Sequence, residues 1–200
     1  MIEKLIHFDV QLFLFLNGLR NPFFDFVFWW ASQPLVWIPV YIILLYLVVK
    51  VYRWQTIFVI LFTIMCVTVT DQFSVHLFKE FFMRFRPCHN PEIQDQVHIL
   101  NGYCGGNFGF VSSHAANFFG IATFLSAIFY RKIRYFIPLA LIWVSLISYS
   151  RIYLGVHYPA DVFFGALLGI CIGLILGISF ILLSKKVLIR SSFFRINKPK

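Results

Sequence analysis

Long apolar runs separated by short charged clusters dominate the chain. Five stretches carry no Lys, Arg, Asp or Glu: Phe26–Val49, Trp54–Thr70, Gln96–Tyr130, Tyr135–Ser150 and Val162–Ser184. A helix needs about 20 mostly apolar residues to cross a bilayer. The pattern therefore predicts spans near Pro34–Tyr52, Trp54–Phe78, Ser113–Tyr130, Tyr135–Ser150 and Pro159–Ser184. The first part of the third stretch is rich in Gly and Asn (Asn101 to Asn107) and reads as loop. Residues 1–33 are different: apolar positions from Leu5 to Phe15 are interrupted by His7 and Asp9, and Asn17-Gly18 and Asn21-Pro22 are turn signals. This segment is expected to form amphipathic helices lying in the membrane interface. The expected fold is an all-α integral membrane bundle of five or six transmembrane helices, residues 1–200 forming one domain.

Composition agrees. Hydrophobic residues make up 60% and charged residues 12% of the chain, against about a quarter charged in a soluble domain. The formal charge of +9 arises from 17 Lys and Arg against 8 Asp and Glu, and its placement decides its meaning. With five spans, Lys50, Arg53, Arg131, Lys132, Arg134 and the basic tail of residues 185–200 all fall on one side. Short loops rich in Lys and Arg mark the cytoplasmic face. The charge thus reads as topology and contact with anionic membrane lipids, not as a nucleic-acid site. The C-terminus is expected to be cytoplasmic.

Lys79, Arg84, Arg86 and Arg151 fall on the opposite face, against that trend. Cations at a membrane boundary are costly unless solvated or paired, and a bound phosphate is a natural counter-charge for mixed Arg and Lys. His114 follows Ser112-Ser113 where the Gly-rich loop becomes a span, so free N–H groups of a helix N-terminus lie beside it. His157 precedes Pro159, with Asp161 one turn on, close enough to orient an imidazole. Together these residues suggest phosphoryl transfer through a histidine nucleophile.

The arrangement resembles the three-block signature of the type 2 phosphatidic acid phosphatase family. Lys79 to Pro87 (KEFFMRFRP) reproduces the first block, Lys, six residues, Arg-Pro. Val111-Ser112-Ser113-His114 stands where the family has Pro-Ser-Gly-His, and Ser150, Arg151, His157 and Asp161 reproduce the third block. The resemblance, carried by residues 79–161, implies that Lys79, Arg86 and Arg151 grip phosphate, with Ser112 and the backbone around Ser113 completing the cradle. It implies His157 as nucleophile, Asp161 holding its ring, and His114 protonating the leaving group and activating water, with no metal and no cofactor. Val111 and Ser113 depart from the pattern. The Ser in place of Gly bears more on the site, because Gly permits unusual dihedrals and close approach.

Cys88 and Cys104 flank the loop between the first two blocks and form a candidate disulfide, which an oxidising space outside the cytoplasm would permit. Cys66 and Cys171 fall in spans. The expected activity is hydrolysis of a lipid phosphate monoester or pyrophosphate at the outer, periplasmic face of a bacterial inner membrane. Candidates implied by the family are undecaprenyl pyrophosphate, phosphatidylglycerol phosphate, phosphatidic acid and the phosphates of lipid A. A lipid phosphotransferase, or a lipid-phosphate binder or transporter without catalysis, are the alternatives; no obligate protein partner is expected.

Overall fold

A computed structural model describes the backbone of residues 2–196 and the side chains of residues 2–185. Beyond Lys185, the side chains of the expected basic tail lie outside the described residues. Apart from the long loop of residues 83–112, which holds only short 3-10 turns, the described chain is mostly helical, and five apolar helices form the bundle: α3 (Ile38–Tyr52), α4 (Thr56–Gln72), α5 (Ser113–Phe129), α6 (Phe136–Tyr153) and α7 (Pro159–Ile196). They are preceded by α1 (Ile2–Gly18) and α2 (Pro22–Ala31).

From Pro34 to Phe82 the apolar helical run covers 49 residues, but it is not one rod. Arg53 closes α3 with a φ of 52°, and α4 turns back so that Tyr41, Leu44 and Val48 face Val59, Thr63 and Ile64. The last turns of α4 relax into a π-helix, Phe73–Lys79, a distortion that re-aims side chains and often marks a functional site.

The pair α5 and α7 sits at the centre. Gly165, Gly169, Gly173 and Gly177 recur every fourth residue and form one face of α7 against α5. A Cβ at Gly165 would come within 2.5 Å of the Ser112 carbonyl and one at Gly173 within 2.5 Å of the Gly120 carbonyl, while Gly169 abuts the Ala116 carbonyl. Small residues at this spacing let two backbones touch inside a membrane, where packing replaces the hydrophobic effect as the source of association. The consequence for the site is direct: the N-termini of α5 and α7 lie side by side, tied by the Ser112 N–H donating to the Asp161 carbonyl at 2.9 Å. Phe124, Ile128, Phe129, Val144 and Phe180 fill the core away from the site.

The expected fourth span, Tyr135–Ser150, is shifted along the chain. α6 continues to Tyr153 because Ile152 and Tyr153 are buried beneath the N-terminal helices, and Gly155, at φ 76°, then ends it. Arg151 therefore lies in the last turn of a helix, not in the loop after it. α1 stays at this end of the bundle: Asp9 meets Ala160, Phe13 packs on Tyr158 at 5.3 Å, and Asn17 binds the Tyr153 carbonyl at 2.8 Å. These partners span only a short rise of α6 and α7, so α1 runs across the bundle end. The clusters around Lys50 and Lys132 meet at the other end, where Lys132 donates to the Tyr52 hydroxyl at 2.7 Å.

Candidate active site

Three segments converge at the site end. Residues 84–86 form an extended pair with residues 107–109: Arg86 N–H donates to the Asn107 carbonyl and Gly109 N–H to the Arg84 carbonyl, each at 2.9 Å. In an extended strand alternate side chains share a side, so Phe85 turns to Phe108 while Arg84 and Arg86 face the N-termini of α5 and α7. The loop between is closed by a disulfide joining Cys88 and Cys104, with Cα atoms 6.0 Å apart.

Arg86 is gripped by backbone: Nε donates to the Gly106 carbonyl at 2.6 Å and Nη1 to the Val156 carbonyl at 3.1 Å. Nη1 also lies 2.9 Å from His157 Nε2. A guanidinium cannot accept a hydrogen bond, so Nε2 must be the acceptor and the imidazole proton resides on Nδ1. That tautomer leaves the Nε2 lone pair as the nucleophilic atom. Nδ1 lies 3.5 Å from Asp161 Oδ2 and beside the backbone of Gly109, without a well-formed hydrogen bond to a described residue. His157 is almost fully buried; burial first, then the charges of Arg86, Arg151 and Lys79, push its pKa well below the usual imidazole range. It is therefore neutral at physiological pH. The Arg86 pKa is also lowered, by burial and then by Arg151, yet a guanidinium starts so high that it stays charged.

Lys79 is delivered by the π-helix. Its Nζ donates to Ser113 Oγ at 2.6 Å; Ser113 and Ser74 share a 2.6 Å hydrogen bond, and Ser74 donates to the Asp71 carbonyl at 2.8 Å. The Ser that departs from the family's Gly thus carries the hydroxyl that holds Lys79. Ser112 caps α5, its Oγ accepting from Ala115 N–H at 3.4 Å. Its N–H is spent on Asp161, so the outward N–H groups of this helix start are those of Ser113 and His114, which have no acceptor within the helix. Arg151 is 3% exposed, its Nε has no partner among the described residues, and its guanidinium lies 5.7 Å from the Tyr103 ring. His114 is half-buried and lies in the combined field of Arg151, His157, Arg86 and Lys79. The structure thus brings Lys79, Arg86, Ser113, His114, Arg151, His157 and Asp161 to one place.

Sequence reasoning missed Asp9, Ser74 and Gly109, and counted Arg84 among the outer-face cations without giving it a role. Gly109 is closely packed by the site: a Cβ there would lie 3.2 Å from Asp161 Oδ2 and 3.1 Å from Arg86 Cγ, so any side chain would press on both. Arg84 shares the parity of Arg86 in the first block, a signal that was available; Asp9 offered none. His98 ties down the N-terminal helices, with Arg20 at 2.9 Å and Asp25 at 3.3 Å. Cys88, His89 and Cys104 bring potential metal-ligating atoms within 4.8 Å of one another, but both sulfurs are committed to the disulfide.

The family profile described as the PAP2 superfamily matches residues 53–185. A lipid A 4′-phosphatase of Bacteroides thetaiotaomicron is 41% identical over 172 residues, covering 84% of this chain and 75% of that protein. A second, from Porphyromonas gingivalis, is 37% identical over 179 residues, 88% of this chain and 72% of the relative. Among solved structures, Aquifex aeolicus LpxE superposes with a TM-score of 0.62 at 31% identity, covering 83% of this chain and 92% of its own. The PAP2-type phosphatidylglycerolphosphate phosphatase of Bacillus subtilis shares the fold at a TM-score of 0.64 and 19% identity, covering 92% of this chain and 88% of that one.

Proposed function

The chain belongs to the PAP2 superfamily and is a membrane-embedded bacterial lipid phosphatase of that type; on that premise, we propose that it removes a phosphate monoester from a lipid A-type glycolipid through a phosphohistidine at His157. The 41% identity to a lipid A 4′-phosphatase supports the substrate. The observation that carries the chemistry is Arg86 Nη1 standing 2.9 Å from His157 Nε2, with the Nε of Arg151 buried and without a partner among the described residues. A cation held where the phosphorus must arrive is an electrostatic clamp already in place.

In the proposed reaction the phosphate takes over Arg86, Arg151, Lys79 and the N–H groups of Ser113 and His114. Nε2 of His157 attacks phosphorus; as the N–P bond forms, the P–O bond to the sugar breaks, and His114, which takes up a proton when the bound phosphate's negative charge offsets the surrounding cations, gives that proton to the departing oxygen. His114 then takes a proton from water, the oxygen attacks phosphorus, the N–P bond breaks and inorganic phosphate leaves. Positive charge develops on the phosphorylated imidazole, and Asp161 stabilises it through Nδ1. Three cations and two helix N–H groups supply the charge stabilisation a phosphoryl transfer needs, which makes the reaction metal-independent. Beside the site an open groove of about 670 Å³ is lined by Ile2, Leu5, Ile6, Phe82, Phe110 and Phe164 and suits acyl chains. The cationic loops at the opposite end support a periplasmic site in the inner membrane, with the C-terminus cytoplasmic.

Phosphate release from four lipids tests this reading: lipid A carrying a 4′-phosphate, phosphatidylglycerol phosphate, phosphatidic acid and undecaprenyl pyrophosphate. The first should be turned over fastest, with no release from lipid A lacking the 4′-phosphate. Equal or faster turnover of a glycerolipid removes the lipid A assignment, and activity that disappears with a chelator removes the metal-independent mechanism.

A further inference from the structure

We propose that Arg84 and Asp9 are positioning residues that set Asp161 against His157, so that helix α1 belongs to the active site. The proposal rests on His157 as the nucleophile. Arg84 falls at a position that the first block leaves unspecified, and Asp9 lies outside the matched residues 53–185.

The Asp161 carboxylate is fully buried, so protein groups alone decide how it is oriented. Oδ2 accepts from the Tyr158 N–H at 2.9 Å and faces His157 Nδ1 at 3.5 Å. Oδ1 accepts from Arg84 Nη1 at 2.9 Å. Arg84 is itself held: its guanidinium stacks over the Tyr158 ring at 4.0 Å, and Nη2 donates to Asp9 Oδ2 at 2.7 Å. The other oxygen of Asp9 accepts from the Ala160 N–H at 2.9 Å. Ala160 is the neighbour of Asp161, so the contacts close into a ring through Asp9, Arg84, Asp161 and the first turn of α7.

The charges in that ring explain why two carboxylates are used. Arg84 alone on Oδ1 would cancel the charge of Asp161 and draw the carboxylate away from the imidazole. Asp9 takes half of the guanidinium's hydrogen bonding and supplies a second negative charge. The group of three keeps a net negative charge facing Nδ1, where positive charge appears once Nε2 has bonded to phosphorus. A carboxylate–imidazole pair misplaced by about 1 Å costs on the order of 100-fold in rate.

The test uses the full-length protein in detergent micelles, with the fastest of the four lipids as probe. Arg84→Gln should lower kcat about 100-fold and Asp9→Asn about tenfold, with KM within about twofold in each. Arg84→Lys should recover part of the loss. The double variant should be no slower than Arg84→Gln alone, because Asp9 acts through Arg84. A role confined to tethering α1 predicts something else: less folded protein, unchanged kcat in the folded fraction, and single losses that multiply. Either an unchanged kcat in both variants or multiplicative losses overturns the proposal. His157→Ala separates this from the underlying reading: activity there removes the nucleophile assignment, whereas an inactive His157→Ala beside wild-type kcat in Asp9→Asn and Arg84→Gln removes only the positioning role.

Discussion

The two ends of the bundle are built by different physics. At the end where Tyr52 and Lys132 meet, aromatic and aliphatic packing dominates: Tyr52, Phe62, Phe124, Phe129 and Phe180 form one cluster of tilted and edge-on rings. At the site end, side chains from residues far apart in sequence are fixed one hydrogen bond at a time, as Asp9 is to Ala160 across 151 positions and Arg86 to His157 across 71. Apolar packing tolerates substitutions that conserve volume. A buried polar network does not, because each lost partner strands another group. The glycine face of α7 joins the two regimes, since the packing of α5 on α7 sets the helix N-termini side by side.

The comparison breaks most severely at that face. Gly169→Leu forces a side chain into the Ala116 carbonyl and should cost about 3 kcal/mol or more, with loss of folded protein on thermal unfolding in detergent. The same test on Ile178→Leu, at an exposed position of the same helix, should show almost no change. Next comes the loop closure: Cys88→Ser opens the disulfide and should cost about 3 kcal/mol by the chain-entropy estimate. Its activity should fall further than its stability loss explains, because the same loop supplies the Gly106 carbonyl that holds Arg86.

Smaller still is Ser113→Gly, which restores the family residue and frees Lys79. Losing one such hydrogen bond is worth about 1 kcal/mol, so KM should rise about fivefold with kcat little changed; a larger fall in kcat would assign Ser113 to the chemistry itself. The smallest effect concerns pH. Because the folded-state pKa of His157 is lowered, the unfolded chain binds this proton first. The stability contribution is full above about pH 6.5, the ordinary imidazole value. It is lost as the pH falls from there toward the folded-state value. Melting temperatures of wild type and His157→Gln should therefore converge as the pH is lowered below 6.5; a constant difference would mean that His157 is not buried as a neutral group.

The same contrast explains what could be read from sequence. Apolar runs announce spans because a bilayer asks only for length and hydrophobicity, so α3 to α7 were legible to within a turn or so at most ends. The first and third blocks were legible because fixed spacings place Lys79, Arg86, Arg151, His157 and Asp161. The glycines at 165, 169, 173 and 177 carried a readable four-residue period that hydropathy alone ignores. Asp9, Ser74 and Gly109 were not legible. Each matters through one partner in another segment, and nothing local distinguishes Asp9 from any acid on an amphipathic helix. The extension of α6 through Arg151 was hidden for a related reason: Ile152 and Tyr153 are buried by α1 and α2, so tertiary packing, not local pattern, sets where that helix ends.

In the proposed reaction phosphate passes through His157, and trapping the intermediate is the sharpest test. Lipid phosphate labelled with ³²P, mixed with the protein and quenched within one turnover, should leave an acid-labile, base-stable label on the peptide containing His157, and none in His157→Ala. Label on another residue, or lipid turnover by His157→Ala at a rate close to that of the wild type, would rule out His157 as the nucleophile.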